Sequence, residues 1–164
     1  MRLGVLSDTH DNLGNISRAV ELFAAHGVEA LVHAGDFCSP FVFRELAPLR
    51  AQVSQMFAVF GNNDGDRLLL ANKGAGFCTF SDAVTTVTVS DRNIALMHYP
   101  DVAQAVHDSG QFDLVVFGHT HEAVVSGGAK ILLNPGACSG YLAARSTIAI
   151  VDLETMHVEL LEIG

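Results

Sequence analysis

Four short polar islands interrupt an otherwise apolar chain: Asp8-Thr9-His10, Gly35-Asp36, Gly61-Asn62-Asn63-Asp64 and Gly118-His119-Thr120-His121. Each follows an apolar run of strand character, and each sets oxygen or imidazole ligands beside a residue suited to a tight turn. The segments between them decide how the strands connect. Residues 2–7 read as a buried strand. An amphipathic helix follows, with Ile16, Val20 and Phe23 on one face, Asp11 or Asn12 to cap it and Gly27 to stop it. Residues 29–34 read as a second strand. Ser39-Pro40 then reads as an N-cap and first-turn proline, opening a short helix through Val42, Phe43 and Leu46. A third strand over 53–60 delivers Gly61-Asn62. This β-α-β-α-β order predicts parallel strands with helical crossovers, and functional side chains beyond the carboxyl ends of those strands. The islands stand at those ends.

The second half reads differently. Thr86-Val87-Thr88-Val89 alternates, Asp91-Arg92-Asn93 can turn, and residues 94–97 return as a strand ending at His98. A helix over 101–109 precedes a strand over 112–117 and the His119/His121 loop. Val124-Val125 and Ile131-Leu132-Leu133 flank Gly127-Gly128, a two-residue hairpin signal. Residues 146–152 and 156–163 form a last hairpin. Two mixed sheets face to face, with helices outside, would bury these strands. Residues 64–80 form either a lid or a connecting helix and loop, the second being preferred. No linker or repeat divides residues 1–164, which predicts a single domain.

Composition narrows the function. With 49% hydrophobic and 16% charged residues, the chain is globular rather than disordered. No apolar run approaches the ~18 residues of a membrane helix. Asp8 cuts short any signal-peptide apolar region, which predicts a cytoplasmic protein without membrane contact. The net charge of −9 and nine scattered Lys and Arg residues argue against a long nucleic acid as partner. Cys38, Cys78 and Cys138 match no zinc or redox spacing and read as reduced, buried small hydrophobes.

Phosphate-ester hydrolysis needs a nucleophile at neutral pH and relief of charge on the phosphoryl oxygens. Two cations ~3.5–4 Å apart supply both, by activating a bridging water and clamping the phosphate. Carboxylate, imidazole and amide ligands suit manganese, iron or zinc. One carboxylate should bridge the ions, because an anion between two cations offsets their repulsion. Asp36, from the central strand, is the natural bridge. In extended backbone, residues two apart point the same way, so Asp8 with His10, and His119 with His121, can converge. His98 stands at a strand end on the same rim. His33 reads as a packed or hydrogen-bonded strand residue. His26, His107 and His157 read as surface or helix-end histidines.

Taken together, these islands resemble the calcineurin-like metallophosphoesterase superfamily, whose pattern is D-x-H, G-D, G-N-H-D/E, a lone His and G-H-x-H. The short length, Ser7-Asp8-Thr9-His10 and Asn134-Pro135-Gly136-Ala137 more closely resemble its small YfcE-type phosphodiesterase branch. The resemblance implies an α/β fold, a four-layer α/β/β/α sandwich of two mixed sheets flanked by helices. It implies two divalent ions per chain, manganese first, with zinc, iron(II) or nickel as alternatives. One ion would take Asp8, His10, Asp36 and His121; the other would take Asp36, Asn62, His98 and His119. Asn62, Asn63, Asp64 and His98 would form the catalytic set, with in-line attack by a bridging hydroxide.

Two positions depart from the family pattern. Asn63 stands where many members have a His that assists the leaving group, worth ~10²–10⁴-fold where a general acid acts. Tyr99 follows the lone metal His where Gly is usual, as a phenol narrowing the site or as a packing aromatic. No Arg lies within any motif. The sequence thus predicts a metal-dependent phosphoesterase for a small phosphate ester, phosphodiesterase before phosphomonoesterase. The alternative is a metal-binding, weakly active or inactive interaction scaffold of the same fold, and a homo-oligomer is compatible with either.

Overall fold

The computed structural model describes residues 1–163. One sheet contains β1 (Arg2–Leu6), β2 (Ala30–His33), β3 (Gln55–Val59) and β4 (Cys78–Ser81), all parallel. The antiparallel hairpin β10 (Thr147–Asp152) and β11 (His157–Glu162) extends it, in the order β11-β10-β1-β2-β3-β4. The second sheet contains β5 (Val84–Val89), β6 (Arg92–Met97), β7 (Leu114–Val116), β8 (Ala123–Val125) and β9 (Ile131–Pro135), ordered β5-β6-β7-β9-β8. Its three inner strands are parallel, and β5 and β8 run antiparallel at its edges. Both sheets are mixed, as the sequence predicts.

Strand periodicity sorts the apolar side chains into layers. Leu3 and Val5 of β1 point between the sheets, where they meet Ile94 and Leu96 of β6, Leu114, Val116 and Leu133. Leu6 and Leu31 point the other way, against α1 (Leu13–Ala25) and α2 (Val42–Leu46) through Ile16, Phe23, Val42 and Leu46. Ala95 and Met97 of β6 face outward onto Ala103 of α4 (Pro100–Asp108). The result is the expected four-layer α/β/β/α sandwich. Each fully buried Leu, Ile or Phe in these layers contributes about 1.5–3 kcal/mol of transfer free energy. Among the described residues no helix is long and apolar enough to cross a membrane.

Asn12, one of the two caps expected for α1, accepts the Asn15 N–H, and Asp11 accepts the N–H and hydroxyl of Ser39. Local chemistry departs from expectation in four places. Ser39 is therefore tied to Asp11 and caps nothing, and α2 begins at Val42 without a side-chain cap. The β5–β6 turn falls on Ser90 and Asp91, both left-handed (φ 49° and 61°), with Val89 paired to Arg92. That is one residue earlier than predicted. Gly127-Gly128 does not form a two-residue turn: Ser126 bonds Leu132 through its N–H and its Oγ, and residues 126–130 make a wider loop. Residues 64–80 form α3 (Arg67–Gly74), capped by Asp66, and the edge strand β4, which the sequence reading missed.

Candidate metal centre

The loops that follow β1, β2, β3, β6 and β7 meet at one rim. Asp8 N–H donates to Gly35 O at 3.0 Å, and Gly118 N–H donates to His98 O at 3.1 Å. His119 N–H crosses from the second sheet to Asp8 Oδ2 at 3.1 Å. The chain turns sharply here. Asp8, His10, Asp36, Cys38, His119 and His121 all lie in the left-handed region, with φ between 40° and 76°. Asp and His enter that region more readily than branched residues, but each still costs of order 1 kcal/mol or more. The convergence expected from extended alternation is thus produced by left-handed turns. These turns also send His119 and His121 apart, so that His121 faces His10 and His119 packs edge-on against His98 and Tyr99.

The side chains form two overlapping groups, Asp8 with His10 and His121, and Asp8 with Asp36 and His98. In the first, His10 Nε2 and His121 Nε2 are 3.2 Å apart, and Asp8 Oδ1 lies 3.4 Å from His121 Nε2 and 3.8 Å from His10 Nε2. In the second, Asp36 Oδ2 lies 3.6 Å from His98 Nε2, and Asn62 Oδ1 lies 3.0 Å from the same nitrogen. Asp36 Oδ2 is also 3.6 Å from His10 Nε2, so this carboxylate lies between the groups. Asn63 holds it there, donating from its backbone N–H to Oδ1 at 2.8 Å and from its side-chain amide to Oδ2 at 2.7 Å.

Two observations test whether a cation fits. Asp8 Oδ1 is buried and has no hydrogen-bond partner, a state that costs a carboxylate heavily unless a positive charge faces it. Donor atoms about 2.0–2.1 Å from one tetrahedral ion stand roughly 3.3 Å from each other, and the closer pairs here match that separation. The imidazoles are also oriented for the task. His98 Nδ1 bonds Ala34 O at 2.7 Å and His121 Nδ1 bonds Tyr141 O at 2.6 Å. A carbonyl only accepts, so Nδ1 carries the proton and each Nε2 keeps its lone pair for the cluster. Burial pushes the Asp8 carboxyl above its ordinary range and Asp36 adds to this, while the Ser7 hydroxyl, His98 and His121 oppose it. The residues present fit divalent ions.

Asp64, expected in the catalytic set, takes a different place. Its buried carboxylate accepts the N–H groups of Asp36 at 3.1 Å, Gly61 at 2.7 Å and Cys38 at 2.9 Å. It ties the Asp36 loop to the Asn62 loop from beneath and does not face the cleft. Asp64→Ala would leave three buried donors unpaired at about 1–3 kcal/mol each, not fully additive. A melting experiment on this variant is expected to show Tm about 10 °C lower.

His33 is buried and neutral. Its Nδ1 accepts the Gly35 N–H, its Nε2 faces Thr9 Oγ1, and its ring stacks on Phe37. Desolvation holds its pKa well below the ordinary 6.5, and His98 and His10 push in the same direction. The unfolded chain therefore takes up this proton below about pH 6.5 while the folded chain does not, so stability falls as pH drops through that value. Thermal melts of the metal-stripped protein at falling pH are expected to show this slope, and His33→Gln is expected to flatten it.

An open cleft of about 440 Å³ lies over the cluster, with Asn62, Asn63, Thr120, Tyr141 and Leu142 among its walls. Sequence reasoning missed Thr120, Tyr141, Leu142 and Cys38. Tyr141 and Leu142 lie in a segment without periodicity, and no local signal marks them. Cys38 reads from the sequence as a buried hydrophobe, yet it is only partly buried, with Sγ 3.4 Å from His10 Nδ1. Burial and the surrounding Asp carboxylates push its thiol up to about 11, which keeps it neutral. Cys78 and Cys138 are buried as expected. Asn134 gains a physical role: its amide donates to Gly118 O and Thr120 Oγ1, bracing the loop that presents both histidines. His26 and His107 sit at helix ends, and His157 is exposed at the start of β11.

A sandwich of this layering, with carboxylates and imidazoles gathered where its strands end, is a metallophosphoesterase-type fold and site. Comparison with known proteins agrees. The model of the calcineurin-like phosphoesterase superfamily domain matches residues 1–156, and the chain belongs to that superfamily. It is 39% identical over 159 residues to phosphodiesterase MJ0936 of Methanocaldococcus jannaschii, covering 94% of both chains. A solved structure described as a novel archaeal phosphodiesterase superposes with TM-score 0.86 at 34% identity, over 99% of each chain. YfcE, a phosphoesterase from E. coli, shares the fold at TM-score 0.66 and 22% identity, over 100% of each chain.

Proposed function

We propose that residues 1–164 form one metallophosphoesterase domain that hydrolyses a small phosphodiester with two divalent ions, manganese first. One ion would be held by Asp8, His10, Asp36 and His121, the other by Asp36, Asn62, His98 and His119. The observation that carries this reading is the buried, unpartnered Asp8 Oδ1 facing the paired Nε2 atoms of His10 and His121. When bound, such ions supply a nucleophile at neutral pH and positive charge for the phosphoryl oxygens.

The chain's own residues set the rest. Asp36, placed between the groups, would be the shared ligand. The Ala34 and Tyr141 carbonyls fix the tautomers of His98 and His121. Asn63 holds Asp36 and offers N–H groups at the cleft wall, but an amide donates no proton to a leaving group. Good leaving groups are therefore favoured. No Lys or Arg lines the cleft, so a dianionic monoester finds no cation beyond the ions themselves. A monoanionic diester suits this charge better, and Tyr141 and Leu142 give its second ester group an apolar wall. The free thiols of Cys38, Cys78 and Cys138 fit the reducing cytoplasm.

The test is turnover of bis-p-nitrophenyl phosphate and of p-nitrophenyl phosphate by metal-stripped protein, with and without manganese. Manganese-dependent hydrolysis is expected, with kcat/KM for the diester about tenfold or more above the monoester, a difference of at least ~1.4 kcal/mol in transition-state binding. Bound metal without turnover of either ester would favour the scaffold reading. Protein that binds no metal would overturn the site.

A further inference from the structure

A second cavity, of about 570 Å³, lies between α2 with the adjoining 3-10 turn (Ala47–Ala51) and α3. Phe41, Phe43 and Leu69 supply its apolar lining, and Arg44, Arg50 and Lys73 also line it. Its size falls in the range of small-molecule sites, roughly 300–1,000 Å³. Phe41 is 66% exposed and Leu69 40%, so apolar surface is left open to water there.

The charges make this groove unusual in an acidic chain. Of the nine Lys and Arg residues, Arg2, Arg67, Arg92 and Lys130 are spent on backbone carbonyls, and Arg145 pairs with Glu162. Among the described residues Arg18, which lies outside the groove, and the three cations in the groove make no such bond. Arg44 has only a loose 4.0 Å approach to Glu45 with its side chain 88% exposed, and Arg50 lies over the Phe77 ring. Lys73 has no hydrogen-bonding or carboxylate partner among the described residues. A chain with net charge −9 repels anions in general. Cations without a close carboxylate or carbonyl partner, gathered beside apolar rings, thus select locally for an anion with an apolar body.

We propose that this groove binds a small, soluble amphipathic anion: one aryl or short acyl body carrying one carboxylate or phosphate head. The body lies against Phe41, Phe43 and Leu69, and the head is met by Arg44 or Lys73, while Arg50 stays over the Phe77 ring. The proposal does not depend on the phosphodiesterase reading.

The probe is 2-naphthoate, titrated by NMR into metal-stripped protein so that the carboxylate cannot occupy the metal centre. Its neutral isostere 2-naphthamide is the control. Saturable binding of the naphthoate at about one per chain is expected, with the amide about tenfold or more weaker, since a charge-assisted hydrogen bond is roughly twice as strong as a neutral one. Replacing the exposed cations together, Arg44→Ser with Lys73→Ser, is expected to bring naphthoate down to the amide's affinity. Equal binding of both probes, or unchanged binding to the double variant, would overturn the proposal. So would naphthoate shifts confined to His10 and His121. Sedimentation with anionic phosphatidylglycerol vesicles without naphthoate binding would assign the surface to a membrane instead, and overturn it too.

Discussion

Asp36→Asn is expected to remove turnover and metal binding together while leaving the metal-free fold intact. The carboxylate lies 3.6 Å from both His10 Nε2 and His98 Nε2, so it is placed to serve both groups of donors. Exchanging Oδ2 for an amide nitrogen removes the charge that would offset repulsion between the two proposed cations. It also sets the new NH₂ against the Asn63 side-chain amide, which donates to Oδ2 in the wild-type chain. Transition-state charge stabilisation by metal ions is worth several kcal/mol, so bis-p-nitrophenyl phosphate turnover should fall by about 10³-fold or more. Metal content after dialysis should fall well below that of the wild type. Stability of the metal-free protein should change little, because two effects oppose each other. Removing one of two neighbouring carboxylates relieves their repulsion, while the Asn63 amide loses its acceptor, so the metal-free variant is expected to melt within a few degrees of metal-free wild type. Turnover unchanged in Asp36→Asn would sink the two-ion assignment, and a large fall in metal-free Tm would recast Asp36 as a structural residue.

Much of this centre was legible because ligand chemistry and strand ends coincide in the sequence. Asp8, Asp36, Asn62, His98 and His119 each stand within two residues of an apolar run, and the parallel order of β1, β2 and β3 carries the first three to one rim. The layering was legible for a similar reason, since alternate residues of β1 and β6 go to different cores. What failed was set by tertiary contacts. Asp64 carries the same letter as a ligand, but three backbone N–H groups turn it away from the cleft. Ser39 reads as a cap until Asp11, 28 positions earlier, claims it. β4 is only Cys78–Ser81, too short for its alternation to be read, and it forms because β3 offers an open parallel edge. Nor does periodicity foretell left-handed backbone at Asp8 or His121, which single-residue propensity only permits.

Gly61→Ala is expected to lower turnover by about 10²-fold without replacing a ligand. A Cβ at residue 61 would run into Asp36 Oδ1 and lie 2.6 Å from Asp36 N and 2.8 Å from Asp36 Cγ. Those atoms belong to the proposed bridging carboxylate and to the N–H that Asp64 holds, so the intruding methyl has no flexible neighbour to displace. Either the Asn62 loop or the Asp36 loop must shift. Catalytic geometry tolerates little of this, and a displacement of about 1 Å can cost about 10²-fold in rate. Overpacking should also lower stability by about 1–3 kcal/mol. This variant should therefore lose both metal affinity and Tm, which separates it from Asp36→Asn. Gly118→Ala probes the same closeness from the other sheet, where the new Cβ would meet Ser7 Oγ and lie 2.7 Å from Asp8 Oδ2. Gly65→Ala is the control: it sits just past Asp64, yet its Cβ would meet nothing within 4 Å, and its Tm and turnover should stay near wild type. A Gly61→Ala protein that still loads metal and turns over diester would mean that Asp36 does not work from the position it holds against residue 61. The paired result, loss at 61 and 118 with silence at 65, would follow from backbone packed directly against both carboxylates.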